Sequence, residues 1–148
     1  MKWFRTRRRV RTRTSSVTKH FTQHKEAARA LVYTRLAHYN QYYGLVYNRV
    51  TIRNQRRCWG SCTSLKNLNF SYKLLFLPEE VCDYVIVHEL CHLKEMNHGP
   101  AFWALVAETM PHYKVCRRAL KTYERLHPYQ LARMSRESPV HYREHATE

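Results

Sequence analysis

Two histidines and a glutamate stand at a spacing that can carry out metal chemistry. His88 and His92 are four residues apart, so on a helix both imidazoles point the same way and can bind one zinc ion. Glu89 lies three residues before His92, where its carboxylate could take a proton from a water on that ion. His98 follows six residues after His92 and could return as a third ligand. Three protein ligands leave one position open for water, which is typical of catalytic zinc sites.

The stretch that carries these residues must position them, and it reads as a buried helix. Residues 81–87 are nearly all apolar, which predicts a helix buried on most sides. Buried histidines need partners, and a shared metal ion is the simplest one. His98 falls where the helix should stop, and its neighbours Asn97 and Gly99 both tolerate the left-handed backbone that turns a chain back. We therefore expect a turn that brings His98 to the metal.

Four short motifs are specific in combination. They are Arg57–Cys62, Asn67–Asn69, His88–His92 and Asn97–Trp103. On these motifs the chain resembles the YgjP-like zinc metallopeptidases over about Gln23–Leu126, and more distantly the SprT/Spartan group of DNA-associated proteases. The resemblance implies a minimal zincin fold, Zn²⁺ on His88, His92 and His98, and Glu89 as the catalytic acid/base.

The hydrophobic pattern predicts an α+β fold, in which a small antiparallel or mixed sheet packs on an N-terminal helix and on the helix of the HExxH motif. An apolar stripe indicates the first helix over Gln23–Tyr43, ended by Gly44. Three strands should follow, and their close spacing favours antiparallel hairpins. They cover Val46–Arg53, Arg57–Cys62 and Asn67–Tyr72. Two more helices are expected, Pro100–Met110 and Tyr113–Leu126, the first of which would lock the His98 turn in place.

A peptidase of this type needs an exposed strand edge, because a peptide held extended by backbone hydrogen bonds presents its carbonyl to the metal. We expect Trp59–Cys62 to lie near such an edge, although Trp59 is equally well explained as a core aromatic residue. Gly60 inside this strand indicates a bulge or the close approach of another backbone.

The chain divides into three predicted parts: a basic flexible arm over residues 1–19, the metallopeptidase domain over 20–127, and a polar tail over 128–148. The 148 residues suit one domain with a real core. The tail contains Pro128 and Pro139 and lacks periodicity. We predict that it is loosely attached and that its His141 and His145 are not metal ligands.

The formal net charge is +15, and seven of the first thirteen residues are cationic. Attraction to a polyanion, DNA or RNA, is one interpretation of this arm. A solvated arm that only aids solubility is the other. An anionic membrane surface is disfavoured because no amphipathic face accompanies the charge.

The cysteine count bears on the compartment. The chain has five cysteines, and an odd number with two of them in the motif helix indicates reduced thiols and a cytoplasmic location. No apolar run approaches a membrane span, and the Arg-rich N-terminus lacks the apolar stretch of a signal peptide.

The sequence thus predicts a zinc-dependent metallopeptidase that attacks peptide bonds with a water activated by zinc and Glu89, with nucleic-acid-associated proteins as one class of substrate. Tyr113, His112 and Arg117 are candidates to stabilise the oxyanion. Glu95 is either an orienting partner of a ligand or a solvated carboxylate. Two alternatives stay open: a nucleic-acid-binding module with a structural zinc site, and a zinc hydrolase of small molecules.

Overall fold

Five helices and three short strands make up the part of the chain that the computed structural model describes, residues 15–137. In chain order they are α1 (Ser16–Tyr43), β1 (Arg49–Arg53), β2 (Gly60–Cys62), β3 (Asn67–Ser71), α2 (Glu79–Cys91), α3 (Pro100–Thr109), α4 (Tyr113–Tyr123) and α5 (Pro128–Glu137), with a 3₁₀ helix over Tyr72–Phe76 between β3 and α2. The predicted α+β class is confirmed. None of the helices between residues 15 and 137 has the length and hydropathy that a membrane span requires.

Helix α1 begins earlier than its apolar stripe predicts. Ser15 is its N-cap, and its hydroxyl oxygen accepts a hydrogen bond from the backbone N–H of Thr18 at 3.2 Å, which satisfies one of the free donors of the first turn. The helix ends at Gly44 as predicted, in the left-handed conformation with φ 58°. Residues 16–19, assigned by sequence to the arm, are therefore helical.

The sheet is mixed, with strand order β1-β3-β2. The mixed alternative of the predicted sheet is thus confirmed. β2 and β3 form the expected antiparallel hairpin, but β1 pairs with β3 in parallel, so the hairpin expected for β1 was wrong. The reason lies in β3, whose polar residues Asn69 and Ser71 are buried with its apolar ones. The Asn69 amide donates to Ser61 Oγ at 3.2 Å, and Ser71 Oγ accepts from the Lys73 N–H at 3.3 Å. Because these polar groups have partners, β3 can take the centre of the sheet.

An ion pair in a largely buried position joins α1 to α2. Asp83 is only 4% exposed, and the Arg35 guanidinium donates to both of its carboxylate oxygens. Tyr39 Oη donates to the same carboxylate at 2.8 Å. The other residues of α2 from Val81 to Val87 are buried as well, as the apolar run predicts. This packing fixes the helix that carries the HExxH motif.

The segment after His127 is not the loosely attached tail that its polar composition indicated. Residues 128–137 form α5, and Leu131 is fully buried. Tyr129 Oη donates to the carbonyl oxygen of Ser16 at 2.8 Å, which ties α5 to the start of α1. Pro128 begins this helix, where its missing N–H has no intrahelical partner to lose. Residues 1–14 of the predicted arm and residues 138–148 of the predicted tail lie outside the described residues.

Candidate active site

Three imidazoles converge on one point at the end of α2. The Nε2 atoms of His88, His92 and His98 lie 3.0–3.2 Å from one another. His88 belongs to the last turn of α2, and His92 caps the helix in right-handed helical conformation, so the spacing of four residues keeps its helical geometry. His98 returns from the loop that follows. Within residues 15–137 this is the one group of His, Cys, Asp and Glu side chains whose ligand atoms converge as a metal site requires.

The chemistry of the three nitrogens fits a metal ion. Ligands of a tetrahedral zinc ion at about 2.0–2.1 Å lie roughly 3.3 Å apart, close to the separations found here. His92 Nδ1 lies 2.9 Å from the carbonyl oxygen of Glu95. That oxygen can only accept, so the proton of a neutral ring stays on Nδ1 and a lone pair stays on Nε2. Burial, reinforced by the neighbouring imidazoles and Arg117, lowers the pKa of His88 to about 3, which keeps this ligand neutral.

Aromatic rings hold the imidazoles in place. Phe102 of α3 is fully buried and contacts all three, with ring centroids 4.5–4.9 Å apart. Trp103 stacks on His98 at 5.8 Å and donates its indole N–H to the His98 carbonyl oxygen at 3.0 Å. Tyr84 Oη lies 3.4 Å from His88 Nδ1. Helix α3 therefore locks the His98 turn, as the sequence predicts.

The turn itself differs from the predicted one. Left-handed backbone at Asn97 or Gly99 was expected, but Gly99 has φ −80°, and Asn97 is not among the described residues with positive φ. The chain instead leaves α2 through backbone hydrogen bonds such as that from the Glu95 N–H to the Cys91 oxygen at 2.9 Å. Gly99 then caps the start of α3. The return of His98 thus depends on the last turn of α2 and on α3, and not on a strained residue.

Glu89 lies buried against β2, with only 6% of its surface exposed. A Cβ atom on Gly60 would lie 2.7 Å from Glu89 Cγ and 2.8 Å from Glu89 Oε1. The close approach at Gly60 is therefore made by the side chain of Glu89, and not by another backbone as expected from the sequence. Burial raises the pKa of Glu89 to about 8. In the metal-free protein this carboxyl group can therefore exchange a proton near neutral pH.

The candidates for oxyanion stabilisation separate in space. Tyr113 stacks on Trp103 with centroids 5.0 Å apart and ring planes 12° apart. The guanidinium of Arg117 lies 4.9 Å from the centre of the same Trp103 ring. Since Trp103 also stacks on His98, both residues lie one ring away from the imidazole cluster. His112 is exposed at the residue before α4.

Two further residues lie near the motif, Glu95 and Cys91. Glu95 contacts His92 through its backbone carbonyl oxygen, which lies 2.9 Å from His92 Nδ1. Cys91, adjacent to a ligand in sequence, is fully buried. All five cysteines lie within the described residues and are free thiols.

A cavity of about 210 Å³ opens beside His88 and Glu89. Its walls include Trp59, Val85 and Leu120. Trp59 itself is buried, with 7% exposed, so it is a core aromatic residue at the base of the strand. Arg57 and Glu124 also line the cavity, so a recess with both charged and apolar walls lies directly next to the acid/base candidate.

Strand β2 is an edge of the sheet, as its sequence predicts. The N–H of Ser71 donates to the Trp59 oxygen at 2.8 Å and the N–H of Thr63 to the Asn67 oxygen at 3.0 Å. In an antiparallel ladder this leaves alternate residues facing the other way, so Gly60 and Cys62 direct their backbone N–H and C=O groups away from β3. Gly60 itself lies close to the side chain of Glu89.

Sequence reasoning missed the residues that support the cluster from a distance along the chain. Tyr84, four residues before His88 on the same helix face, could have been found from that spacing. Its apolar surroundings led to its assignment as core. The contact of Gly60 with Glu89 joins residues 29 positions apart, and no local pattern indicates it.

Comparisons with known proteins identify a family and a similar solved structure. The sequence model of the YgjP-like, metallopeptidase domain family matches residues 6–123. Among solved structures, the metallopeptidase zymogen of Pyrococcus abyssi abylysin is similar, with 26% sequence identity and a TM-score of 0.56. The match covers 62% of this chain and 92% of that one. The comparison with curated proteins gave no match.

Proposed function

Because this chain belongs to the YgjP-like metallopeptidase family, we propose that it is a zinc-dependent peptidase with His88, His92 and His98 as metal ligands and Glu89 as its acid/base. The observation that carries the proposal is the convergence of three Nε2 atoms beside a buried carboxylate. The similarity to a metallopeptidase zymogen supports the reaction class. Three imidazoles with one position left for water favour zinc in a catalytic role.

The protein's part in binding the ion is to hold three imidazoles aligned, while burial lowers the pKa of His88 and His92. Zinc held in this way polarises a carbonyl oxygen and lowers the pKa of a bound water to about 7. The Glu95 carbonyl fixes the tautomer of His92, and Tyr84 lies at the second nitrogen of His88. Phe102 prevents the rings from turning. Partners of this kind raise metal affinity because the ligands need little reorganisation.

Glu89 is the proton carrier in this proposal. It accepts a proton from the water that attacks the peptide carbonyl and returns it to the leaving amine. Burial raises its proton affinity in the metal-free protein, and a bound Zn²⁺ would offset this effect by stabilising the carboxylate. Gly60 leaves the space that the side chain occupies.

The outer edge of β2 is the proposed binding place of the peptide backbone. The N–H and C=O groups of Gly60 and Cys62 point outward, and an extended peptide can pair with them as an added strand. Such pairing would lay the scissile carbonyl across the end of α2, where the imidazoles and Glu89 meet. The recess near Val85 and Leu120 would then take a neighbouring side chain.

Two residues remain as donors for the oxyanion that forms when water attacks. Arg117 and Tyr113 both contact Trp103, which borders His98. His112 lacks comparable support, and we therefore assign it no role. Arg117 carries a fixed positive charge and Tyr113 an O–H group, and either can donate to a developing negative charge.

A nucleic-acid partner forms a finer part of the proposal. Residues 1–13 carry seven cations. Arg49, Arg53, Arg56 and Arg57 are exposed on or beside the sheet, and within residues 15–137 no ion pair involves them. These charges would hold DNA or RNA close to the cleft and select proteins bound to it.

The test of the peptidase proposal compares two carboxamide variants. Glu89→Gln should keep the metal and the fold and lose cleavage of casein or unstructured peptides, since proton transfer contributes about 10²–10⁴-fold. Glu95→Gln is the matched control, because only the backbone carbonyl of Glu95 is used. In the same way His98→Ala should lose zinc by elemental analysis, and His112→Ala should keep it.

Each alternative has its own signature in these measurements. Cleavage at the wild-type rate by Glu89→Gln would overturn the mechanism, and the loss of zinc in that variant would make Glu89 a ligand. Tight zinc without any hydrolysis favours a structural site in a nucleic-acid-binding module. A panel of esters and amides hydrolysed faster than peptides identifies a small-molecule hydrolase.

A further inference from the structure

Helix α4 presents a stripe of positive charge next to the candidate active site. Its members recur at intervals of three, one and three residues, which places them on one helix face. They are Lys114, Arg117, Arg118 and Lys121, all exposed. Together with Trp103 and Tyr113 they line a cavity of about 510 Å³. The stripe is thus a concave surface and not a scatter of solvated side chains.

This arrangement works against the stability of the helix. Like charges three and four residues apart on a helix repel one another. Lys114 lies in the first turn of α4, where the helix dipole disfavours a cation. Within residues 15–137 no carboxylate pairs with any member of the stripe. Departures from local stability without compensation are expected where a surface serves binding.

The cavity adjoins the metal-binding cluster through one aromatic ring. Trp103 stacks on His98 at 5.8 Å and on Tyr113 at 5.0 Å. Arg117 lies 4.9 Å from the centre of the Trp103 ring. An extended peptide that crosses the cluster advances about 3.3 Å per residue, so it would reach the stripe roughly three residues from the bond that is cut.

We infer that the α4 stripe binds an acidic segment of the peptide substrate. The inference rests on the proposed peptidase function and names the substrate class of that site. Carboxylates complement the four cations, and the position of the cavity beside His98 suits a chain that continues from the cleft. Single-stranded nucleic acid would use the same charge, but it also needs free aromatic faces for its bases. The ring of Trp103 already stacks with two other rings, so the surface favours a peptide.

The experiment compares paired peptides on the full-length, zinc-loaded protein at low salt. Fluorogenic peptides share one central sequence and carry three Glu or three Lys residues on either its N-terminal or its C-terminal side. We expect kcat/KM for the better Glu peptide to exceed that of its Lys counterpart about tenfold, because each exposed charge pair contributes roughly two- to fivefold. The difference should shrink in high salt.

Charge reversal tests the residues themselves. Arg118→Glu/Lys121→Glu should invert the preference, so that the Lys peptide becomes the better substrate. Lys19→Glu/Arg29→Glu on α1, at two exposed residues without a proposed binding role, makes the same change of charge and should leave the preference unaltered. Binding of the same peptides to Glu89→Gln, followed by fluorescence anisotropy, gives a readout that does not depend on cleavage.

The outcomes separate this inference from the peptidase proposal. Cleavage without a preference for Glu, or a preference that Arg118→Glu/Lys121→Glu does not change, overturns the inference and leaves the peptidase standing. Selective binding of the Glu peptides without cleavage supports the acidic site and removes the peptidase. If an oligonucleotide displaces the Glu peptides at a concentration below the one at which the peptides themselves bind, that result would assign the stripe to nucleic acid and overturn the inference. If the protein neither binds nor cleaves any of these peptides, both the inference and the peptidase proposal are overturned.

Discussion

At the scale of single residues, the absence of one side chain shapes the site. Gly60 leaves room for Glu89, because an added Cβ would lie 2.7 Å from Glu89 Cγ. Gly60→Ala should therefore displace the carboxylate and leave the three imidazoles in place. We expect kcat to fall on the order of 10²-fold, the effect of a misplacement near 1 Å, with zinc content unchanged. Kinetics with a peptide substrate and elemental analysis measure both.

Gly99→Ala is the matched control for that variant. A Cβ on Gly99 meets nothing within 4 Å, and its φ of −80° suits any residue. The Gly99→Ala variant should therefore keep most of the activity, although residue 99 is adjacent to His98. Equal losses in the two variants would mean that backbone stiffness near the site matters and the contact with Glu89 does not.

The burial of Glu89 also makes a prediction about pH. Its pKa is raised from 4.5 to about 8 in the folded protein. Between these values the folded state holds a proton that the unfolded state has released, so the free energy of unfolding falls as pH rises, by about 1.4 kcal/mol per pH unit. Metal-free Glu89→Gln should lack this loss and become the more stable protein by pH 8. Urea unfolding with chelator at several pH values measures it, and parallel curves for the two proteins would refute the burial of an ionisable Glu89.

Residue spacing in the sequence predicted the residues of the candidate site better than it predicted the contacts that hold them in place. His88 and His92 follow from helical geometry, and the structure brings His98 to them. The tautomer of His92 is fixed by a carbonyl that belongs to Glu95, a residue whose carboxylate drew attention in the sequence. Phe102 contacts all three imidazoles only because α3 folds back over α2. Such contacts arise from tertiary packing, which no local pattern encodes.

At the scale of elements, α1 and α2 are joined by a charge pair whose acid is nearly inaccessible. Arg35 has a raised pKa because its guanidinium bonds to the Asp83 carboxylate. Asp83 is 4% exposed and also accepts from Tyr39. Arg35→Met should destabilise the protein by about 3–5 kcal/mol, because it leaves a buried charge without its main partner. Chemical denaturation measures the loss.

The double variant Arg35→Met/Asp83→Leu separates the value of the pair from the cost of an unpaired charge. Replacing both partners by apolar residues of similar size is often nearly neutral, so it should be more stable than Arg35→Met alone. Tyr39 can turn its hydroxyl towards water, since it is only partly buried. A double variant less stable than either single one would mean that the pair holds α1 and α2 in register by more than charge compensation.

Helices and strands could be predicted where the hydrophobic periodicity was strong. The prediction failed where the pairing of a strand depended on its position in the sheet. Gly44 predicts where α1 ends, and Pro100 predicts where α3 begins. The parallel pairing of β1 with β3 does not follow from spacing, because β2 is only three residues long and lies on the far side of β3. Helix α5 was missed since one buried residue, Leu131, anchors an otherwise polar segment. A single anchor is too little signal for a periodic pattern.

At the scale of the whole molecule, positive charge is unevenly divided. Residues 15–137 hold eighteen Lys and Arg against nine Asp and Glu, and residues 1–13 hold seven cations and no acid. The described part is therefore basic even without the arm. If nucleic acid is the partner, contacts should be mostly to phosphate, with little dependence on sequence and a steep dependence on salt.

The last prediction concerns the arm. The full chain and a chain that starts at Ser15 should both bind oligonucleotides at low salt, because both are cationic. The full chain should bind more tightly and with the steeper salt dependence, since each phosphate contact contributes about 0.7–0.9 to the slope of log K against log salt. Trp3 and Phe4 can stack on unpaired bases, so removal of the arm should weaken single-strand binding more than double-strand binding. Fluorescence anisotropy across a salt series measures all three quantities. Equal affinity and slope for the two chains would exclude the arm as the contact, and no binding by either would remove nucleic acid from the proposed function while leaving the peptidase in place.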